Sequence, residues 1–148
     1  MGLKIPPPVL TLLALFIMYV CTYLIPLWQF KPSWIVAIPF ITIAIVVGFL
    51  AVLALVKADT TISPFVPQQT ARLVTRGIYQ YSRNPMYVSL LLVLIAAIFL
   101  YGELSTILGL IIFVLVVNHY QIKPEEKVLL QLFGEDYVQY CRQVRRWF

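Results

Sequence analysis

Two short stretches hold the residue types that do chemistry. One is GIYQYSRNPMY, residues 77–87, which crowds Gly77, Tyr79, Tyr81, Arg83, Asn84, Pro85, Met86 and Tyr87 together. The other is the adjacent pair Glu125 and Glu126. A carboxylate offers a cationic ligand a charge-assisted hydrogen bond, or takes a proton as general base. Tyrosines enclose a flat ring and donate a hydroxyl. Arg83 offers a positive charge to an anion. Gly77 marks a position with positive φ or a close approach by a ligand. Asn84 suits a helix N-cap, and Pro85 suits the first helical turn, where a missing N–H costs nothing.

Each of these residues also has a plainer reading. Arg76 and Arg83 fit the positive charges that gather at the cytoplasmic end of a membrane span. Glu125 and Glu126 fit the first turn of a helix, where the macrodipole favours negative charge. Tyr79, Tyr81 and Tyr87 fit an interfacial aromatic belt. His119, the one histidine, sits beside Asn118 and Tyr120. It reads either as an interfacial hydrogen-bonding group or as a proton-transfer group, and Asn118 as a bridge between two helices. Taken together, the loop and the tail suit a pocket roofing the ends of the third and fourth spans.

The elements that must position these groups follow from composition. The chain has 148 residues, 61% hydrophobic and 11% charged, against about 45–50% and about 25% in soluble domains. No Asp, Glu, Lys or Arg occurs in 5–30, 32–56, 84–102 or 104–122. A crossing helix needs about 20 apolar residues. The expected fold is therefore all-α and polytopic, a single membrane domain with four spans near 9–29, 34–56, 86–101 and 104–121. Gly102 and Glu103 make a tight hairpin of the last pair. The first apolar run is longer than the h-region of a cleavable signal.

Basic residues set the orientation. Lys4, then Lys57, Arg72, Arg76 and Arg83, then Lys123, Lys127, Arg142, Arg145 and Arg146 fall on one side, and Lys31 with Glu103 on the other. Both termini and the loop 57–85 are expected to be cytoplasmic. The net charge of +5 reflects this bias, and no basic module points to nucleic acid. Cys21 and Cys141 have no metal-ligand spacing and read as reduced structural thiols. No metal is expected. The loop 57–85 is long enough to be functional. Pro124 and Gly134 divide the tail, with C-terminal helices over 124–146 folded back over the loop. Spans without ionisable groups argue against a transporter.

LVTRGIYQYSRNPMY (73–87) followed by EEKVLLQLFGEDYVQY (125–140) resembles the isoprenylcysteine carboxyl methyltransferase and phospholipid methyltransferase superfamily. The resemblance covers about the last half of the chain. It implies an integral membrane methyltransferase using S-adenosylmethionine, with a lipophilic acceptor drawn from the bilayer. Carried over residue by residue, the cofactor contacts fall on Ala71, Arg72, Leu73, Val74, Gly77, Tyr79, Asn84, Pro85, Met86 and Tyr87, with Glu125 holding the cofactor's ammonium group. Catalytic roles fall on Arg83, Glu126 and Tyr87, with Glu126 either a support for Glu125 or a base. Asn118, His119 and Gln121 fall on the substrate side. Prenylcysteine enzymes have histidine where this chain has Asn84, and a carboxylate-binding arginine where it has Gln121. Head-group N-methylation of a phospholipid is the alternative chemistry. A non-catalytic four-span protein that binds a lipid or a partner is the alternative class.

Overall fold

The computed structural model describes residues 5–58 and 72–148. Five helices follow one another: α1 Pro7–Leu24, α2 Trp34–Lys57, α3 Pro85–Tyr101, α4 Ile107–Val117 and α5 Lys123–Gln143. Short 3₁₀ turns occupy Gly77–Gln80 and Leu104–Thr106, and a π-helical turn, Asn118–Ile122, joins α4 to α5. Among the described residues the extended pairing is one isolated bridge, Gln29 to Glu103. Among the described residues, three runs are long and apolar enough to cross a membrane: Pro7–Leu24, Trp34–Lys57 and the continuous Leu104–Gln143. The helix α3, with 17 residues, is shorter.

The expected boundaries need three corrections. The first helix ends at Leu24 rather than 29. Pro26 follows immediately, and the residue before a proline is pushed out of the α region; Ile25 accordingly has φ −137° and ψ 59°. The fourth span does not stop near 121 before a separate tail helix, because the chain stays helical through Pro124. A proline lacks the N–H for the i→i−4 ladder and crowds the preceding turn. The wider π turn lies at that point, a recognised way of absorbing a break in the ladder. The last helix ends at Gln143 rather than 146, and Val144 is extended (φ −122°, ψ 131°). Gly134 interrupts α5 as expected, with φ 50° and ψ −121°.

Helix α1 packs on α3 and α4, and α2 packs on α3. The shared core holds Leu10, Ala14, Met18, Leu94, Ala97, Phe113 and Val117. Contact between α1 and α4 depends on Gly109, where an added Cβ would lie 2.5 Å from Met18 Cγ and 3.1 Å from the Ala14 carbonyl oxygen. Ala37, Ala44 and Ala51 are the buried residues of α2. They fall every seventh position, and such small residues let helices approach closely in a membrane. The rest of α2 stays exposed: Ile35 is 85% and Phe49 65% accessible, as a lipid-facing surface requires.

At the end of the bundle away from residues 72–87, Glu103 ties the 25–33 connection to the α3–α4 hairpin. Its Oε1 accepts from the backbone N–H groups of Leu27 (2.8 Å), Trp28 (3.0 Å) and Ser105 (3.5 Å). Burial pushes the Glu103 carboxyl up, but the backbone donors of Leu27, Trp28, Ser105 and Leu104 outweigh it and hold it below the usual range. Gly102 closes α3 in the left-handed region, φ 66°, and its carbonyl accepts from Phe30 N–H at 2.8 Å.

Candidate active site

At the opposite end, four segments converge: the 72–84 strand of loop, the start of α3, the start of α5, and the non-helical segment 144–148. Gly77 opens the loop's 3₁₀ turn with φ 66°, and a Cβ there would meet nothing within 4 Å among the described residues. It is a positive-φ position. The turn buries Tyr79, and the Tyr140 hydroxyl donates to the Tyr79 carbonyl oxygen at 2.7 Å. Burial, then Tyr140 and Glu125, push the Tyr79 hydroxyl well above the ordinary phenol range, so it stays a donor.

Asn84 occupies the N-cap position of α3 and Pro85 its first position, as the sequence predicts. The Asn84 side chain, however, makes no capping bond to the helix. Its Nδ2 donates instead to the Arg146 carbonyl oxygen at 3.0 Å, and its own N–H donates to Ser82 Oγ at 3.1 Å. An asparagine bonded to the 144–148 segment serves the tertiary fold in preference to its helix.

One turn into α3, the buried Tyr87 hydroxyl donates to Glu125 Oε1 at 2.8 Å. Glu125 lies beyond the apolar run that ends at Ile122. Burial pushes its carboxyl up, the Tyr87 hydrogen bond lowers it, and the neighbouring Glu126 raises it, leaving it at about 7. Among the described residues no lysine or arginine pairs with Glu125.

Glu126 differs from its neighbour. Arg146 holds it bidentately, Nε to Oε1 at 3.0 Å and Nη2 to Oε2 at 2.7 Å, and Arg83 Nη1 lies 3.3 Å from Oε1. To act as a base, Glu126 would give up two partly buried ion pairs on protonation. Arg83 is likewise engaged rather than free to guide a substrate. Its Nη1 also meets Cys141 Sγ, and its Nε is buried without a hydrogen-bond partner among the described residues.

The other expected site residues are spread out. Leu73 packs against the cluster of Tyr137, Tyr140 and Val144. Arg72, Leu73, Val74 and Gly77 line an open cavity of roughly 610 Å³ against the end of α2. Met86 is partly buried and Pro85 fully buried. Ala71 lies outside the described residues. Asn118, His119 and Gln121 share the π turn but not a common direction. Asn118 Oδ1 accepts from Trp147 Nε1 at 3.2 Å. His119 is exposed, edge-on to Tyr120. Gln121 is buried and donates from Nε2 to the Ile5 carbonyl oxygen at 2.8 Å.

Sequence reasoning placed the tail and the loop at this end but did not name Arg146, Trp147, Ser82 or Tyr140 as site residues. Arg146 carries no local signal. It follows Arg145 in a basic run that looks like any other positive-inside charge.

Residues 32–136, more than half of the chain, match the family "Phospholipid methyltransferase". The chain belongs to that family, whose members are methyltransferases of membranes. An uncharacterised protein of Haemophilus influenzae is 48% identical over 62 residues, covering 42% of this chain and 98% of that one. No solved structure matches.

Proposed function

We propose that this chain is an integral membrane methyltransferase that binds S-adenosylmethionine at the Tyr87–Glu125 end of the bundle and methylates a lipophilic acceptor. The observation that carries the reading is the contrast between the two glutamates. Glu126 holds two arginines, while its neighbour Glu125, partly buried, is hydrogen-bonded to Tyr87 and has no cation among the described residues. A partly desolvated carboxyl without a counter-charge carries a cost in isolation, and a ligand ammonium group offsets it. The residues present thus fit the cofactor. When bound, the cofactor supplies an activated methyl group for an in-line displacement. Glu125 binds its ammonium, Tyr87 orients Glu125, and the apolar faces of Leu73, Val74 and Tyr79 exclude water.

The wider architecture belongs to the same reading. The chain crosses the membrane four times, with α3 as the short third pass and α4 through the π turn as the fourth. Both termini and the site face the cytoplasm, where the soluble cofactor is found. The acceptor enters sideways from lipid. A phospholipid head group is the second reading of the acceptor, and Gln121 favours it: an amide stands where prenylcysteine enzymes carry a carboxylate-binding arginine.

The test is calorimetric. The detergent-solubilised protein binds S-adenosylhomocysteine, and Glu125→Ala weakens that binding at least tenfold, about 1.4 kcal/mol, by removing the ammonium's partner. Absence of binding at high micromolar ligand removes the methyltransferase reading. Labelled cofactor with a membrane lipid extract then sorts the acceptors: base-labile label means a methyl ester, and stable head-group label means N-methylation.

A further inference from the structure

The non-helical segment Val144–Phe148 is short, yet it reaches the loop end at 82–84, Glu126 of α5 and Asn118 of the π turn. The Arg145 carbonyl accepts from Arg83 N–H at 3.0 Å. The Arg146 carbonyl accepts from Ser82 Oγ at 3.3 Å and from Asn84 Nδ2 at 3.0 Å. The Arg146 guanidinium grips both oxygens of Glu126. Trp147 packs against the bundle core and donates to Asn118 in the π turn. Loop, α3, π turn and α5 are therefore fastened by one strap, and Arg146 makes two of the joints at once, with backbone and side chain.

The division of labour between the glutamates depends on that strap. Side by side, two carboxylates near one pocket would repel each other and share any cation offered. With Arg146 on both oxygens of Glu126, one charge of the pair is consumed within the protein. The groups facing Glu125 are then Tyr87 from α3, Tyr79 from the loop, and Glu126 on its own helix with Arg83 and Arg146 upon it.

We propose that Arg146 is a positioning residue: the strap it anchors neutralises Glu126 and leaves Glu125 as the single carboxylate that reads a cationic ligand. The proposal deepens the methyltransferase reading and rests on it for the ligand, but not for the electrostatics. Removing Arg146 strengthens the field of Glu126 on Glu125 and makes Glu125 harder to ionise. Removing Glu126 as well takes the source of that field away.

The experiment uses two readouts on the full chain. The first is S-adenosylhomocysteine affinity against pH. The second needs no ligand: dicyclohexylcarbodiimide, which modifies protonated carboxyls in apolar surroundings, is used to titrate Glu125, with labelling read by mass spectrometry. Arg146→Gln moves both midpoints upward by about one pH unit, equal to about fivefold weaker binding at pH 7 and about tenfold below pH 6. The double variant Glu126→Gln with Arg146→Gln returns them to the wild-type position or below it. Arg146→Lys, which keeps the charge and much of the fold, gives a smaller shift in the same direction. A labelling midpoint that stays at the wild-type value in Arg146→Gln and Arg146→Lys overturns the proposal, even if affinity falls, because the strap is then only a structural tie. If wild type fails to bind the ligand while the labelling shift appears, the methyltransferase reading falls and the positioning role stands.

Discussion

Glu125 and Tyr87 are 38 positions apart in sequence and 2.8 Å apart in space. Their pairing decides how ligand binding depends on pH. A carboxyl at about 7 is largely neutral under mildly acidic conditions, and an ammonium ligand needs it ionised. Affinity for S-adenosylhomocysteine should thus fall about tenfold per pH unit below 7 and level off above 8. Binding near pH 6 should release close to one proton, measurable by calorimetry in buffers of different ionisation enthalpy. A flat profile from pH 5 to 8 would remove Glu125 from the ammonium site. The sign for stability is the reverse. A carboxyl raised above its unfolded value contributes stability at low pH that is lost as pH rises through about 7, so bound cation matters most on the alkaline side. Both residues were legible as candidates in the sequence. Their contact was not, because no local spacing links a tyrosine at the start of one helix to a glutamate at the start of another.

Helices here are distinguished by the size of their residues rather than by hydrophobicity. In water an apolar stripe marks the buried face. In lipid both faces are apolar, and close approach falls to small residues. The seven-residue spacing of Ala37, Ala44 and Ala51 was present in the sequence all along, but hydrophobicity does not separate those positions from the lipid-facing isoleucines beside them. Gly109 marks the same principle between α1 and α4. Gly109→Val forces side-chain atoms into Met18 and the Ala14 backbone. It should cost about 1–3 kcal/mol, seen as an apparent thermal midpoint several degrees lower in detergent. An unchanged midpoint would mean that α1 and α4 do not pack at this distance. The π turn is the other element the sequence does not announce. Pro124 signals a break in the helix ladder, but whether the chain stops or widens there depends on what α5 packs against, including Trp147 on Asn118.

For the whole molecule, the charges at its two ends differ in kind. Glu103 at one end is spent on backbone donors, while arginines, glutamates and tyrosines gather at the other. The bias of Lys and Arg predicts that this second end is cytoplasmic. Single cysteines at Lys31 and Arg76, in a background with Cys21 and Cys141 replaced by serine, provide the check. In intact cells a membrane-impermeant maleimide should label position 31 and leave position 76 unlabelled until the membrane is opened. Equal labelling of both, or the reverse, would overturn the orientation.

The sequence by itself determined that the chain is helical and membrane-bound, with its polar chemistry at one end. Four charge-free runs and clustered basic residues leave little else for a chain of this composition to do. It also named Glu125, Tyr87 and Asn84, because those residue types are expensive to place beside apolar runs. Only the tertiary structure put two arginines on Glu126 and none on Glu125, turned Asn84 toward Arg146, and made a strap of residues that looked like a basic tail. Those assignments rest on contacts between residues 20 to 64 positions apart. Such contacts are fixed by how helices pack and where the chain returns, and no short-range pattern encodes them.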